Sequence, residues 1–368
     1  NNTAVGYSAL TSNTTGAQNT ALGRQSLTAN STADNGTAVG YRALISNTTG
    51  AGNTAVGKDA GYYTTTGSDN TYIGLASGPN VAASTGSNNT ALGRSALRSN
   101  TTASNNTAVG YQAAYTNTTG TGITALGETA LAANTTGNYN TALGRDSMIA
   151  NTSGADNTAA GESALGSNTT GSYNVAMGRL SLSFNTTAAY NTAVGFKANL
   201  NGTTGGINTF VGALSAGNGV VTGTHNVGHG AESLYSLTSG TDNVGVGYQA
   251  LSLNTSGSYN VAIGREALEA NTTASNNTAV GYQAGYSQSG NGNGNTLVGY
   301  RAGYTGNSFI DASANNTMIG NEAGLSATTT IKNTFVGQFA GGYITTGYNN
   351  TILGRYNGNQ GGLDIRTS

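Results

Sequence analysis

Twelve side chains in one column of this 368-residue chain have the most regular spacing of any groups that could do chemistry. Tyr7, Tyr41, Tyr111, Tyr248, Tyr282 and Tyr300, with Arg24, Arg94, Arg145, Arg179, Arg265 and Arg355, each directly follow a glycine that recurs mostly every 17 residues. Rings and guanidinium groups repeated in this way suit two kinds of chemistry. They can form a weak ligand-binding stripe on which sugars stack beside Arg. They can also satisfy one another as Tyr–Arg stacks with cation–π support. Either reading requires the column to be exposed and regular.

The second candidate is "THNVGHGAE" at 224–232, which holds the only two histidines, His225 and His229, with Glu232 and Asp242 nearby. In a threefold assembly, three copies of His229 could approach an axis and bind a metal. The competing reading is a neutral His at a local irregularity, marked also by Gly228. No Ser-His-Asp set, paired-carboxylate cleft or P-loop can be drawn, and "GNGNGN" at 290–295 is a Gly-rich turn with no following Lys or helix. The expectation is a chain without catalytic residues or cofactor. Asn13, Asn47, Asn100 and Asn134 head N-x-[ST] matches that would be glycan acceptors in a secreted eukaryotic protein. In a phage or bacterium they read as ordinary turn chemistry.

Composition narrows the partners. Charged residues make up 7% of the chain, with Lys+Arg 13 against Asp+Glu 14, so no electrostatic footprint for nucleic acid or anionic membrane exists. There is no Cys, hence no disulfide or thiolate metal site. No apolar run reaches the roughly 18 residues of a membrane span. The chain begins in mid-repeat at Asn1, without Met or signal peptide, which suggests excision from something longer.

What positions the columns is a repeat. Taking the recurring Gly as marker, 21 coils follow one another, and "TTASNNTAVGYQA" is spelled out identically at 101–113 and 272–284. The consensus N-T-A-V-G-Y-x-A-L-x-x-N-T-T-G-x-x has short β-compatible stretches split by Gly and an Asn-Thr-Thr-Gly turn. Seventeen residues are too few for a helical hairpin, and the glycines would cripple a helix. The expected fold is an all-β parallel β-roll or β-solenoid. Longer spacings fall at "LASGPNVAASTGS" (75–87) and "YTGNSFIDASANN" (304–316), so these should bulge as loops while the stack continues.

Stacked coils place like residues about 4.8 Å apart. Four before the marker is Asn in 19 of 21 coils, the exceptions being Gly36 and Ile123, so an Asn ladder is expected. One before the marker is aliphatic in 19 of 21, and this column reads as a continuous core, which would place His229 within it. Two before the marker is Ala in 13 of 21, and four after is most often Leu. Where the first position is large, at Tyr72, Phe210, Leu297, Met318, Phe335 and Ile352, the second is tiny: Gly78, Ala216, Gly303, Gly324, Gly341 and Gly358. Close packing conserves volume, so the two positions should fill one pocket. Side chains alternate along a strand, so both sheet faces carry apolar ladders. A lone roll has one interior. The second face calls for identical chains around an axis.

"NVAMG" (174–178) and "NVAIG" (260–264) resemble the repeats of trimeric autotransporter adhesin heads, which form left-handed parallel β-rolls. The coil here is longer, and Thr replaces Val three before the marker in 17 of 21 coils. With the ending "TILGRYNGNQGGLDIRTS" (351–368), the chain is more similar to bacteriophage tail-fibre shafts, where such an ending often precedes a self-cleaving chaperone domain. The resemblance implies a homotrimer, a left-handed roll and a virion context. On this reading residues 1–358 are shaft and 359–368 an exit segment to a further domain. The expected function is a non-enzymatic extracellular shaft, roughly 100 Å long if each coil rises about 4.8 Å, that extends a tip toward a host receptor or glycan. The alternative is an adhesin head that binds glycans or matrix through its coil surface. A more distant one is an ice-binding solenoid, against which stands the absence of a regular Thr-x-Thr pair.

Overall fold

The computed structural model describes residues 1–289, 292–305, 314–355 and 357. Among them are 23 strands of three residues each and no helix. The chain is a parallel β-solenoid of about 20 coils. It divides into two compact units, Asn1–Thr187 and Ala188–Ser368. Gly358 and the exit segment 359–368 lie outside the described residues.

In the first unit, strands pair in parallel and in register from Thr3–Val5 to Val175–Met177, with Thr3 opposite Thr20, Ala4 opposite Ala21 and Val5 opposite Leu22. The second unit repeats the pattern from Thr192–Val194 to Thr351–Leu353. Near its end a second wall becomes strand too, Thr329–Ile331 pairing with Thr346–Tyr348. Both long-spaced segments leave the ladder intact. Ile73 still sits opposite Leu92 across 75–87, and Val298 opposite Ile319 across 304–316. The first segment projects Val81, 57% exposed; most of the second lies outside the described residues.

The strands end after three residues because the marker glycine turns the chain sharply. Gly110 has φ +135°, and a Cβ on it would lie 2.4 Å from the Gly127 carbonyl oxygen of the next coil. Non-glycine residues do not settle in that region of backbone space. Further corners fall on ordinary residues in the left-handed region, among them Leu27 (φ 49°), Leu44 (φ 51°) and Leu97 (φ 51°). The left-handed conformation costs an L-residue about 1–2 kcal/mol. Full burial of a leucine contributes about 1.5–3 kcal/mol, and these three are fully buried. At this column, burial outweighs strain.

The interior corrects the expected core. It is built from the column two before the marker (Ala21, Ala38, Ala91, Phe210) and the column four after it (Leu27, Leu97, Leu131, Leu165), all fully buried. The aliphatic column one before the marker points outward: Val5 is 55%, Leu22 48%, Leu126 50% and Leu353 75% exposed. The roll is narrow, and one large side chain per coil fills it. The volume pairing inside it is direct. A Cβ at Gly78 would lie 2.4 Å from the Tyr72 ring, at Gly324 2.3 Å from Met318 Sδ, and at Gly341 2.7 Å from the Phe335 ring.

Two asparagine ladders run through the coils. The expected one is present: Asn19 N–H donates to Asn2 Oδ1 at 2.8 Å, and Asn70 Nδ2 donates to Asn53 Oδ1 and to the Gly86 carbonyl, each at 3.0 Å. Gly36 and Ile123 interrupt its side chains, but their backbone N–H groups still donate to Asn19 and Asn106 Oδ1. The other ladder is the first residue of the Asn-Thr-Thr turn. Asn134 Nδ2 donates to Asn117 Oδ1 at 2.8 Å and to the Gly137 carbonyl at 3.0 Å, while Asn151 Nδ2 donates to Asn134 Oδ1 at 2.8 Å. Asn47, Asn100 and Asn134 are therefore buried, and their amide nitrogens, where a glycan would attach, are engaged inside the coil.

Removing one rung leaves buried partners unsatisfied, at about 1–3 kcal/mol per group. Asn134→Ala is expected to destabilise the first unit by about 2–4 kcal/mol, measured by denaturant titration. A change within experimental error would mean that the ladder is incidental to stability.

Candidate functional site: the tyrosine–arginine column

The column after the marker glycine lies just beyond the turn, where the chain leaves the sheet, and its side chains project into solvent. Tyr7, Tyr41, Tyr111, Tyr248, Tyr282 and Tyr300 are exposed, as are Arg24, Arg94, Arg145, Arg179, Arg265 and Arg355. Stacking of coils brings neighbouring members together. The Arg24 guanidinium lies 5.7 Å from the Tyr7 ring and 5.8 Å from Tyr41, Arg94 lies 5.8 Å from Tyr111, and Arg265 lies 5.5 Å from Tyr248 and 6.0 Å from Tyr282. Tyr282 and Tyr300 stack with centroids 5.4 Å apart and planes 12° from parallel. Over Glu128, Arg145, Glu162 and Arg179, where tyrosines are missing, charge alternates instead. Arg145 and Arg179 both pair with Glu162, Arg179 through Nε at 3.1 Å. The Arg145 hydrogen bond, helped by Arg179, holds the Glu162 carboxyl below its ordinary pKa. Such exposed pairs contribute little to stability.

A second set of contacts was not singled out by the column rule, because its arginines sit one residue later. Arg42 donates from Nε to Asp59 at 2.7 Å and lies between the Tyr41 and Tyr62 rings, at 4.7 and 4.9 Å. In the other unit Arg301 donates to Gln283 Oε1 at 2.9 Å and lies between Tyr300 and Tyr304, at 5.3 and 4.8 Å. Tyr286 stacks on Tyr304, and burial with the nearby Glu266 raises the pKa of Glu269, which in turn raises that of Tyr286. Arg42 and Arg301 thus recur as one device: a guanidinium between two rings, oriented by an oxygen acceptor.

His225 and His229 are both exposed. His225 Nδ1 lies 2.9 Å from Thr224 Oγ1, and His229 takes its place on the outward face, its strand paired with those of Val211 and Val246. The expected position of His229 within a core is thus corrected along with the rest of its column. Glu232 accepts from Gln249 Nε2 at 2.7 Å. Among the described residues no group of three or more His, Cys, Asp or Glu is placed to hold a metal. No helix among them is long and apolar enough to cross a membrane. Residues 292–295 of "GNGNGN" are described, and there Gln288 Nε2 and Asn295 Nδ2 both donate to the Gly292 carbonyl.

The chain matches no protein-family model and no curated protein sequence.

Proposed function

We propose that the chain forms the shaft of a homotrimeric extracellular fibre, which holds a receptor-binding tip away from a particle or cell surface. The observation that supports this reading is the outward face of the in-register sheet. Along each unit it carries a line of apolar side chains such as Val39, Val56, Ile73 and Leu92, broken in the second unit by His229 and left half-buried or exposed in the single chain. An apolar line of this length in water is unfavourable at roughly 25 cal/mol per Å², and exposed patches of this kind mark association surfaces. Three copies meeting along these lines would bury them. The number three rests on the likeness to fibre and adhesin repeats.

The mechanism is mechanical. Main-chain hydrogen bonds between coils, two side-chain asparagine ladders and a surface poor in charge suit a stiff, protease-resistant and weakly adhesive element. Light scattering of the folded chain should give three times its 36.5 kDa mass. A soluble, stable monomer would overturn the proposal. The adhesin-head alternative predicts instead that the Tyr–Arg column binds ligand. Many of its rings are already covered by guanidinium groups, which favours the shaft.

A further inference from the structure

The position five before the marker is a left-handed corner in every coil after the first, and its usual occupants suit that geometry. Asn35 (φ 58°), Asp69 (φ 56°), Asn105 (φ 61°) and Asp156 (φ 56°) are typical, being the residue types that tolerate a positive φ. Tyr139 (φ 54°), Tyr173 (φ 60°), Tyr190 (φ 61°), Ile207 (φ 59°) and Tyr259 (φ 59°) are not. Bulky residues in this region are outliers whose strain calls for an explanation. The buried leucines four after the marker are repaid by the interior. The four tyrosines are 64%, 52%, 59% and 60% exposed and Ile207 53%, so the interior does not repay them.

We propose that Tyr139, Asp156 and Tyr173, in three successive coils of the first unit, form a binding stripe for a neutral polysaccharide chain. The spacing fits. Residues two coils apart lie about 10 Å from one another, so the two rings can stack on alternate sugars of an extended chain while the Asp156 carboxylate accepts hydrogen bonds from the hydroxyls between them. The first ring has room prepared for it, since the preceding coil carries Gly122 and a Cβ there would lie 2.7 Å from Tyr139 Cδ1. The charge fits as well. In the first unit this corner column and the residue before it contain Asp34, Asp69 and Asp156 but no Lys or Arg, so a polyanion would be repelled. The second unit repeats the acid–aromatic pairing with Asp242 and Tyr259 in consecutive coils. The stripe is independent of the trimeric-shaft reading, because it lies at the corner before the sheet and can be tested whatever the mass in solution.

The test is native gel electrophoresis of the full chain through gels containing hydroxyethyl cellulose, galactomannan or dextran, with heparin as the anionic probe. Retardation by at least one neutral polysaccharide is expected. Tyr139→Asn with Tyr173→Asn should weaken it about tenfold or more, while Tyr139→Phe with Tyr173→Phe should keep most of it. Because Asn suits the left-handed corner, the asparagine variant should melt no lower than the parent, which separates lost binding from lost folding. The proposal is overturned if no neutral polysaccharide retards the chain, if only heparin does, if the asparagine variant binds as before, or if that variant melts lower than the parent.

Discussion

Gly110→Ala is expected to destabilise the first unit by about 4 kcal/mol or more, while Gly166→Ala should change it by less than about 1 kcal/mol, both measured by chemical denaturation. Gly110 has φ +135°, and forcing a side chain into such a region costs about 1–3 kcal/mol before any contact is counted. The added Cβ would also lie 2.4 Å from the Gly127 carbonyl oxygen. Both partners in that overlap are backbone, so no rotamer change relieves it. The coils would have to separate, which strains the bonds from Gly110 N–H to the Leu92 carbonyl at 2.8 Å and from Gly127 N–H to the Val109 carbonyl at 2.9 Å, each contributing about 1 kcal/mol net. Gly166 differs on both counts. It has no positive φ, the nearest atom to its Cβ would be the Ser163 carbonyl oxygen at 3.2 Å, and other coils carry Ala132 or Ile149 at that position. Equal losses from the two substitutions would show that the marker glycine is a generic small residue rather than the hinge of each coil.

The contrast explains why coil boundaries were legible in the sequence. A residue that no other can replace leaves a mark at every repeat, and the marker glycine is one. The alternation of a three-residue strand was legible for the same reason, and it set Ala21 and Leu22 on opposite faces. Which face was inside was not. Both columns are apolar, and the aliphatic one reads as the better core because its side chains are larger. The space between the walls decides otherwise: it admits an alanine and one leucine per coil, so Leu22 is turned out and Leu27 is taken in. Leu27 itself gave no sign of its left-handed backbone, because leucine is not a turn former. The inner asparagine ladder was hidden by the opposite problem. "NTT" between hydrophobic runs has the composition of a surface turn, yet Asn134 and its equivalents bond along the stack rather than to water.

At the candidate sites, sequence spacing located the Tyr–Arg column and its exposure. It missed the arginines one residue further on, whose contacts depend on neighbouring coils rather than on neighbouring letters. It missed the corner tyrosines for a related reason, since nothing in "NYN" or "SYN" announces a positive φ. The volume rule shows the same limit within the core. Pairing large with small inside one coil accounts for Gly78 and Gly341 but not for Gly61 and Gly285, whose own partners are Ala55 and Ala279. The structure supplies the reason. A Cβ at Gly61 would lie 2.7 Å from the Tyr72 ring, and at Gly285 2.7 Å from Leu297 Cδ1, in each case a side chain of the following coil. Large residues lean back on the coil before them, so the conserved volume spans two coils.

A double-mutant cycle at Phe335 and Gly341 is therefore expected to show strong coupling. Phe335 is fully buried, and Phe335→Ala should open a cavity that costs about 3–5 kcal/mol. Gly341→Leu alone should overpack the site and cost at least about 1–3 kcal/mol, because its Cβ would already lie 2.7 Å from the Phe335 ring. Its backbone adds little to that cost: Gly341 has φ +60°, close to the values adopted by Leu97 and Leu131. Together the two substitutions recreate the pairing of Ala91 with Leu97, and much of the loss should return, with a coupling of roughly 1–3 kcal/mol in the rescuing sense. Recovery will fall short of complete to the extent that Ile352 of the following coil leans into the same space, as Tyr72 does against Gly61. Adding Ile352→Ala to the double variant tests this, because a leucine at 341 freed from that contact should tolerate the truncation better than the parent does. Strictly additive losses from Phe335→Ala and Gly341→Leu would place the two columns in separate compartments and refute the shared interior.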